Sequence, residues 1–352
     1  MTFFRNHAFV AAMHDLIAHL ESGHDLSPGQ AVESVRLLLD EKIDDATKAA
    51  LLQALRAKGE TAGEIAAFVK SLLARAVDPR IDPKNLPGPM LDVCGTGGDR
   101  MDLFNVSTTG MFVLAAGGAV VVKHGNRAIT SKCGGADVLE SLGVKIDLPP
   151  ADLKRCVETT GAGFLFAPNY HPAFKAIAPV RKMLAAQGVA TIFNLLGPLL
   201  NPAQPAHQLT GVFDRTKLAK YAAVLQLLGR TRAWALNGSG ADEILPCGMT
   251  EVVETTPETL REFTIDPASL GIAPCAQDEL RGGTGVENTR ILLGILDGSI
   301  RGPKRDVVRL NAAAGFVVSN LASDLAEGLL LAEEQIDSGR ALAKLRAMQD
   351  FK

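Results

Sequence analysis

The sequence predicts an α/β protein: a small all-helical N-terminal domain, then a larger domain with a mostly parallel central sheet flanked by helices. Three observations predict it. Apolar residues recur at helical spacing through the first 77 residues. Prolines at 79, 83, 87 and 89 then interrupt both helix and ladder. From Met90 onward, short apolar runs alternate with helical stretches, the texture of a parallel sheet with crossover helices. The expected domains are therefore 1–77 (helical), 78–89 (linker) and 90–352 (α/β). Helices near 172–186 are expected to pack on the first.

The helical domain is punctuated by its own caps. Val10, Met13, Ile17 and Leu20 mark the buried stripe of a first helix. Ser27-Pro28-Gly29-Gln30 is a capping box with proline at the first helical position, followed by Val32, Val35 and Leu39. Asp44 or Asp45 caps a third helix carrying Leu51, Leu52 and Leu55, which Gly59 closes. Thr61 and Glu64 form a second box ahead of Ile65, Phe68, Val69 and Leu72. A small bundle apolar on several faces packs on something, the rest of the chain or a second copy.

Strands are expected at 90–93, 119–122, 164–167, 209–212 and 233–236, with edge strands at 251–254 and 263–265. Helices are expected at 107–116, 135–142, 152–160, 172–184, from Asp214 through 228, and at 287–296, 310–318 and 325–336. Gly282-Gly283-Thr284 reads as a turn without assigned purpose, and no internal repeat is visible. Loops 95–99, 123–130, 168–171 and 237–243 each follow an expected strand. In parallel sheets ligands gather at that edge.

Composition narrows the function. The formal charge is −3 and aromatics are 5%, which supplies neither a basic field nor stacking platforms for nucleic acid. The five cysteines form no CxxC pair, as in reduced cytoplasmic proteins. Met1 to Asn6 shows no signal-peptide pattern, and no apolar run is long enough for a bilayer, so no membrane association is expected.

The chemistry centres on Leu91 to Asp99, an apolar run opening into Cys94-Gly95-Thr96-Gly97-Gly98-Asp99. Glycines there bring bare N–H groups close to an anion, and a helix start beyond adds a positive dipole end. Neither P-loop nor Rossmann spacing is present. Lys123-His124-Gly125-Asn126-Arg127 concentrates donors, with Lys123 as a point charge and Arg127 as a planar fork. Asp242-Glu243, after glycines at 238 and 240, is a candidate magnesium pair, with Ser107 able to add a hydroxyl. No His/Cys cluster has zinc spacing. His124 and His171 belong to no recognisable nucleophile–base arrangement.

Gly95-Thr96-Gly97-Gly98-Asp99, Asn105-Val106-Ser107-Thr108, Lys123 to Ala128 and Asp242-Glu243 together resemble the signature set of the anthranilate phosphoribosyltransferase family. Lys58-Gly59-Glu60-Thr61, Ala136 to Glu140, Tyr170 to Ala173 and Ile192 to Pro198 extend the likeness nearly end to end. The resemblance implies transfer of a phosphoribosyl group from phosphoribosyl pyrophosphate to anthranilate, in tryptophan biosynthesis, by a cytoplasmic homodimer using magnesium, with two ions. It implies a donor site of Gly95, Gly98, Asp99, Leu103, Asn105, Val106, Ser107, Thr108 and Gly135, together with Lys123, His124, Gly125, Asn126, Arg127, Ala128, Ile129, Thr130 and Ser131. Gly95, Asn126 and Arg181 would contact anthranilate, and Ser107, Asp242 and Glu243 the metal. Leu103 and Gly135 stand where the family usually has hydroxyl residues. Residues 185–190 run longer than usual and lack the common arginine before Thr191. A pyrimidine nucleoside phosphorylase and a nucleic-acid-binding relative of the same fold are the competing readings. The first is disfavoured by the Lys-His-Gly-Asn-Arg loop and the second by the net acidic charge.

Overall fold

The computed structural model describes residues 2–99, 101–128 and 132–352, with side chains from residue 9 onward. The chain forms two compact units. One comprises Met1–Val77 and Tyr170–Pro202; the other comprises Asp78–Asn169 and Ala203–Lys352.

The helical unit contains α1 (Thr2–Glu21), α2 (Pro28–Leu38), α3 (Asp45–Lys58) and α4 (Ala62–Leu73), and the last three start where the sequence places caps. Ser27 with Gln30 and Thr61 with Glu64 close reciprocal capping boxes, and Asp44, rather than Asp45, accepts from the Thr47 amide at 2.9 Å. Each such cap is worth about 1 kcal/mol. Glu64 does more than cap. Its carboxylate also takes the Leu26 amide at 2.8 Å and the buried Lys58 ammonium at 2.8 Å. One side chain thus joins the entry to α2, the end of α3 and the start of α4.

The sequence reading runs the α/β domain unbroken from 90 to 352. The structure groups residues 170–202 with the helices, which agrees with the expected packing of the stretch near 172–186 and corrects the unbroken boundary. The Val77 amide donates to the Tyr170 carbonyl at 2.9 Å, and buried Lys48 reaches the Ala176 carbonyl at 3.4 Å. The expected helix at 172–184 is divided. A 3-10 segment, Pro172–Ala176, precedes the helix Ala178–Ala186, because Pro179 cannot supply the amide that continuity requires. Residues 78–89, expected as a linker, carry one 3-10 turn at Pro83–Asn85 and cluster with the α/β unit.

That unit contains β1 (Met90–Gly95), α5 (Val106–Ala116), β2 (Val120–Gly125), α6 (Gly135–Ser141), α7 (Pro150–Thr160) and β3 (Ala162–Phe166). The one-turn helix α8 (Ala167–Tyr170) leads into the helical unit, where α9 (Ala178–Ala186) and α10 (Phe193–Leu196) lie. The chain then forms β4 (His207–Gly211), α11 (Leu218–Leu227), β5 (Arg232–Gly238), β6 (Thr250–Thr255) and β7 (Leu260–Ile265). Helices α12 (Gly285–Leu296), α13 (Pro303–Val318), α14 (Leu325–Asp337) and α15 (Arg340–Gln349) complete it.

Seven strands form one sheet in the order β3-β2-β1-β4-β5-β6-β7. The first five pair in parallel, while β6 and β7 are antiparallel at one edge. Their buried, nearly continuous apolar runs are what a sheet covered on both faces requires. Gly95 pairs with Gly211, and Gly211 with Leu236, so β1 and β4 end at one level and β5 runs two residues further, to Gly238. Phe112, Leu310 and Phe316, all 0% exposed, anchor the α5–α13 layer on one face. The sequence placed α13 too late, because its first turn, Pro303 to Asp306, is charged, and it missed α15.

Candidate active site

The loop after β1 folds onto the loop after β5. The Gly97 amide donates to Asp242 Oδ2 at 2.7 Å, and the Thr96 amide to the Gly211 carbonyl at 3.0 Å. A Cβ at position 95 would stand 2.1 Å from Asp242 Oδ2, so any side chain there would push the Asp242 carboxylate from its place. Gly97 and Gly98 both have positive φ, 66° and 90°, a turn that L side chains resist. Phe213, 40% exposed, lies along Gly98, and its amide donates to Thr96 Oγ1 at 3.2 Å. Asp99 accepts from the Met101 amide at 3.1 Å and lies in hydrogen-bond contact with Asp242.

Helix α5 starts at the same place. Asn105 precedes its first turn, and the Ser107 amide donates to Glu243 Oε1 at 3.2 Å. A carboxylate on exposed helix-start amides is favoured by both hydrogen bond and dipole. Val106 and Thr108 are buried, at 1% each. Lys123, on β2, reaches inward to the Val93 carbonyl and to Ser107 Oγ at 3.0 Å. Val93, Ser107, Asp242 and Glu243 line a pocket of about 300 Å³, open mouth included.

The pocket wall strips water from both acids. Burial, then the Asp99 charge, raises Asp242 well above the usual carboxylate range, against which the Gly97 amide pulls down. Burial and the Asp242 charge raise Glu243 likewise, opposed by Lys123. Two desolvated, mutually repelling carboxylates with one nearby ammonium favour an added cation. Among the described residues no cluster of three or more His, Cys, Asp or Glu has metal-holding geometry. The donor set therefore fits an ion that takes one or two carboxylates and completes its shell elsewhere, which is how magnesium binds beside phosphate.

The basic loop differs from expectation in two ways. Arg127 does not present a free fork. Its guanidinium grips Glu140 at 3.0 and 2.6 Å and covers the Phe166 ring at 4.7 Å. Lys123 is a buried strut from β2 to α5, not a solvated charge. His124 is also buried, Gly125 ends β2, and Asn126 holds the Arg127 amide at 2.8 Å. The sequence missed the anchor of this loop: Asp137 Oδ2 accepts from Ala128 at 2.9 Å and from Gly134 at 2.7 Å. An acid at the third position of α6 was the available signal. Ile129, Thr130 and Ser131 lie outside the described residues. Leu103 bridges Arg281 in antiparallel fashion and packs on the core. A Cβ at Gly135 would lie 3.1 Å from Thr108 Oγ1.

Arg181 belongs to the helical unit, on α9. Its guanidinium sits 5.4 Å from the Phe193 ring centroid, burial lowers its pKa, and it pairs with no described carboxylate. His171, in the same unit, is buried against Phe174 and bonded to the Leu200 carbonyl at 2.9 Å. It is built into the packing rather than placed as a base.

Residues 87–342 match the glycosyl transferase family a/b domain, and residues 14–76 match that family's helical bundle domain. The anthranilate phosphoribosyltransferase of Roseiflexus sp. (strain RS-1) is 44% identical over 336 residues, covering 95% of this chain and 96% of the relative. The chain belongs to the anthranilate phosphoribosyltransferase family. The crystal structure of the Thermus thermophilus member has a TM-score of 0.88 at 38% identity, covering 96% of this chain and 99% of that one. The Saccharomyces cerevisiae enzyme in complex with phosphoribosyl pyrophosphate and magnesium has a TM-score of 0.86 at 28% identity, covering 97% of each chain. A further structure of the yeast enzyme contains 4-fluoroanthranilate.

Proposed function

We propose that this chain transfers the 5-phosphoribosyl group from phosphoribosyl pyrophosphate to the amine of anthranilate, a step of tryptophan biosynthesis. The products are N-(5-phosphoribosyl)anthranilate and pyrophosphate. The observation that carries the reading is the joining of the glycine loop to Asp242 and of the α5 start to Glu243. Amides that bind an anion and acids that bind a cation stand at one sheet edge.

The bond from the sugar carbon to pyrophosphate breaks as the amine nitrogen bonds to that carbon, and the nitrogen, made acidic by bonding, then releases one proton to solvent or to the departing pyrophosphate. Bound magnesium, one or two ions, would neutralise charge growing on the departing pyrophosphate. Asp242 and Glu243 would hold it, with Ser107 Oγ available once Lys123 shares it. Gly95, Gly98, Asp99, Asn105, Ser107, Thr108 and the 123–131 loop would hold the donor, with backbone amides doing much of the work. Arg127 would act by fixing that loop to Glu140. Arg181, half-buried beside Phe193 and with no carboxylate partner among the described residues, would grip the anthranilate carboxylate, with Gly95 and Asn126 as further contacts. An aryl amine is neutral near pH 7, so orientation rather than proton removal is the task left to the protein. A homodimer joined through the helical unit and a cytoplasmic location belong to the same reading. A solution mass twice the 37.1 kDa of the chain tests the dimer. Among the described residues no helix is long and apolar enough to cross a membrane.

The test is loss of anthranilate fluorescence on adding phosphoribosyl pyrophosphate, with and without magnesium. Loss that depends on both supports the reading. No loss, together with phosphorolysis of thymidine or uridine, would replace it by a nucleoside phosphorylase.

A further inference from the structure

The turn at Gly282-Gly283-Thr284 and the start of α12 have no part in the site described so far. They are bonded to the segment that leads into α5. Residues 280–283 run alongside 102–104: the Gly282 amide donates to the Asp102 carbonyl at 2.8 Å, the Phe104 amide to the Leu280 carbonyl at 3.4 Å, and Leu103 bridges Arg281. Position 282 tolerates no side chain, because a Cβ would stand 2.5 Å from Asn288 Oδ1 and 2.6 Å from Phe104 Cα. The approach brings Asn288, 2% exposed, against Asn105.

The hydrogen bonds then form a chain with only one sense. The Gly283 amide can only donate, and it donates to Asn288 Oδ1 at 2.8 Å. Asn288 must therefore turn Nδ2 outward, and it donates to Asn105 Oδ1 at 2.9 Å. Asn105 is left with Nδ2 for the Cys133 carbonyl, which can only accept, at 3.1 Å. The Cys133 thiol also lies in hydrogen-bond contact with Asn288. Backbone groups at both ends thus fix the orientation of two side-chain amides that would otherwise rotate freely.

We infer that Asn288 is a positioning residue for the sugar-phosphate donor: through the Gly283–Asn288–Asn105–Cys133 chain it fixes the Asn105 amide and ties the 102–105 loop to residues 132–135. The inference rests on the reading of Asn105 as a donor contact. Bonded once through Nδ2 and once through Oδ1, Asn105 keeps one N–H and one lone pair for that donor. Asn288 touches no reacting atom, so its effect falls on donor affinity and not on acceptor affinity.

The discriminating variant is Asn288→Asp. It keeps the shape and the acceptor for Gly283 but cannot donate to Asn105. The expected result is a roughly tenfold rise in KM for phosphoribosyl pyrophosphate, the scale of one well-placed hydrogen bond. KM for anthranilate should change less than about twofold. In an Asn105→Ala background the same substitution should add nothing further, because coupled residues do not act additively. Thr284→Ala controls for stability. It removes the cap of α12 without touching Asn105, so it should lower Tm and leave the donor KM near the parent value. An unchanged donor KM in Asn288→Asp, equal effects on both substrates, or a full additional penalty in the Asn105→Ala background would overturn the inference. If the parent protein itself performs no phosphoribosyl transfer, it is the underlying reading that falls.

Discussion

Arg181 shows how far one side chain can be read before its ligand is seen. Its guanidinium is partly desolvated and lies over Phe193, yet it has no described carboxylate to pair with. A planar fork held this way matches a carboxylate bidentately, whereas a lysine ammonium does not. Hydrogen bonds to charged groups are worth about 1.5–3 kcal/mol, roughly ten- to a hundredfold in binding. Arg181→Ala should therefore raise KM for anthranilate by at least tenfold and KM for the donor by less than about twofold in steady-state kinetics. Arg181→Lys should recover little of the loss. Equal effects on both substrates would remove Arg181 from this role. Gly135 offers the opposite experiment. It stands where the family usually has serine, and its Cβ direction leads to Thr108 Oγ1 and the Lys123 side chain. Gly135→Ser should lower the donor KM by about two- to tenfold, the worth of one neutral hydrogen bond, when titrated at saturating anthranilate.

At the scale of elements, the decisive interactions join loop to helix start. Asp137, in the first turn of α6, holds the Ala128 and Gly134 amides and so ties the end of the basic loop to the start of α6. Asp137→Ala should leave both amides without that acceptor, raise the donor KM by about tenfold, and speed hydrogen exchange at Ala128 and Gly134. Exchange unchanged at both positions would show the loop held by other means. The sequence displayed the elements better than these bonds. Strands β1 to β5 were legible because each is a short apolar run ending at glycine or a polar loop. Caps at Ser27, Asp44 and Thr61 were legible because the capping pattern spans four residues. Asn288 and Glu140 were not, because their partners lie 183 and 13 residues away and no local spacing announces them. Arg127 reads as a ligand in the sequence for the same reason: only the fold shows that Glu140 already occupies it.

For the molecule as a whole, the two-unit division reflects a return of the chain that periodicity alone does not announce. Residues 170–202 leave the sheet after β3 and re-enter before β4, carrying Arg181 into the helical unit. The glycine loop, the segment after Asn105 and the paired acids were legible as motifs. Their mutual bonds were not, being set by strand order. Those bonds also govern stability. Asp242 and Glu243 have raised pKa values in the fold, so the folded protein binds more protons there than the unfolded chain does. Such groups cost nothing below the ordinary carboxylate pKa near 4, and stability is lost as pH rises through their folded values in the neutral range. Asp242→Asn removes one charge of the repelling pair and retains an oxygen for the Gly97 amide. In metal-free buffer it should raise Tm most at pH 8.5, somewhat less at pH 6 and hardly at all near pH 4, while transferase activity falls by two orders of magnitude or more. Magnesium with phosphoribosyl pyrophosphate should stabilise the parent protein more at pH 8.5 than at pH 6, because at the lower pH the cation displaces protons to bind. A pH-independent Tm difference between variant and parent would mean that the two acids do not repel one another as their burial implies.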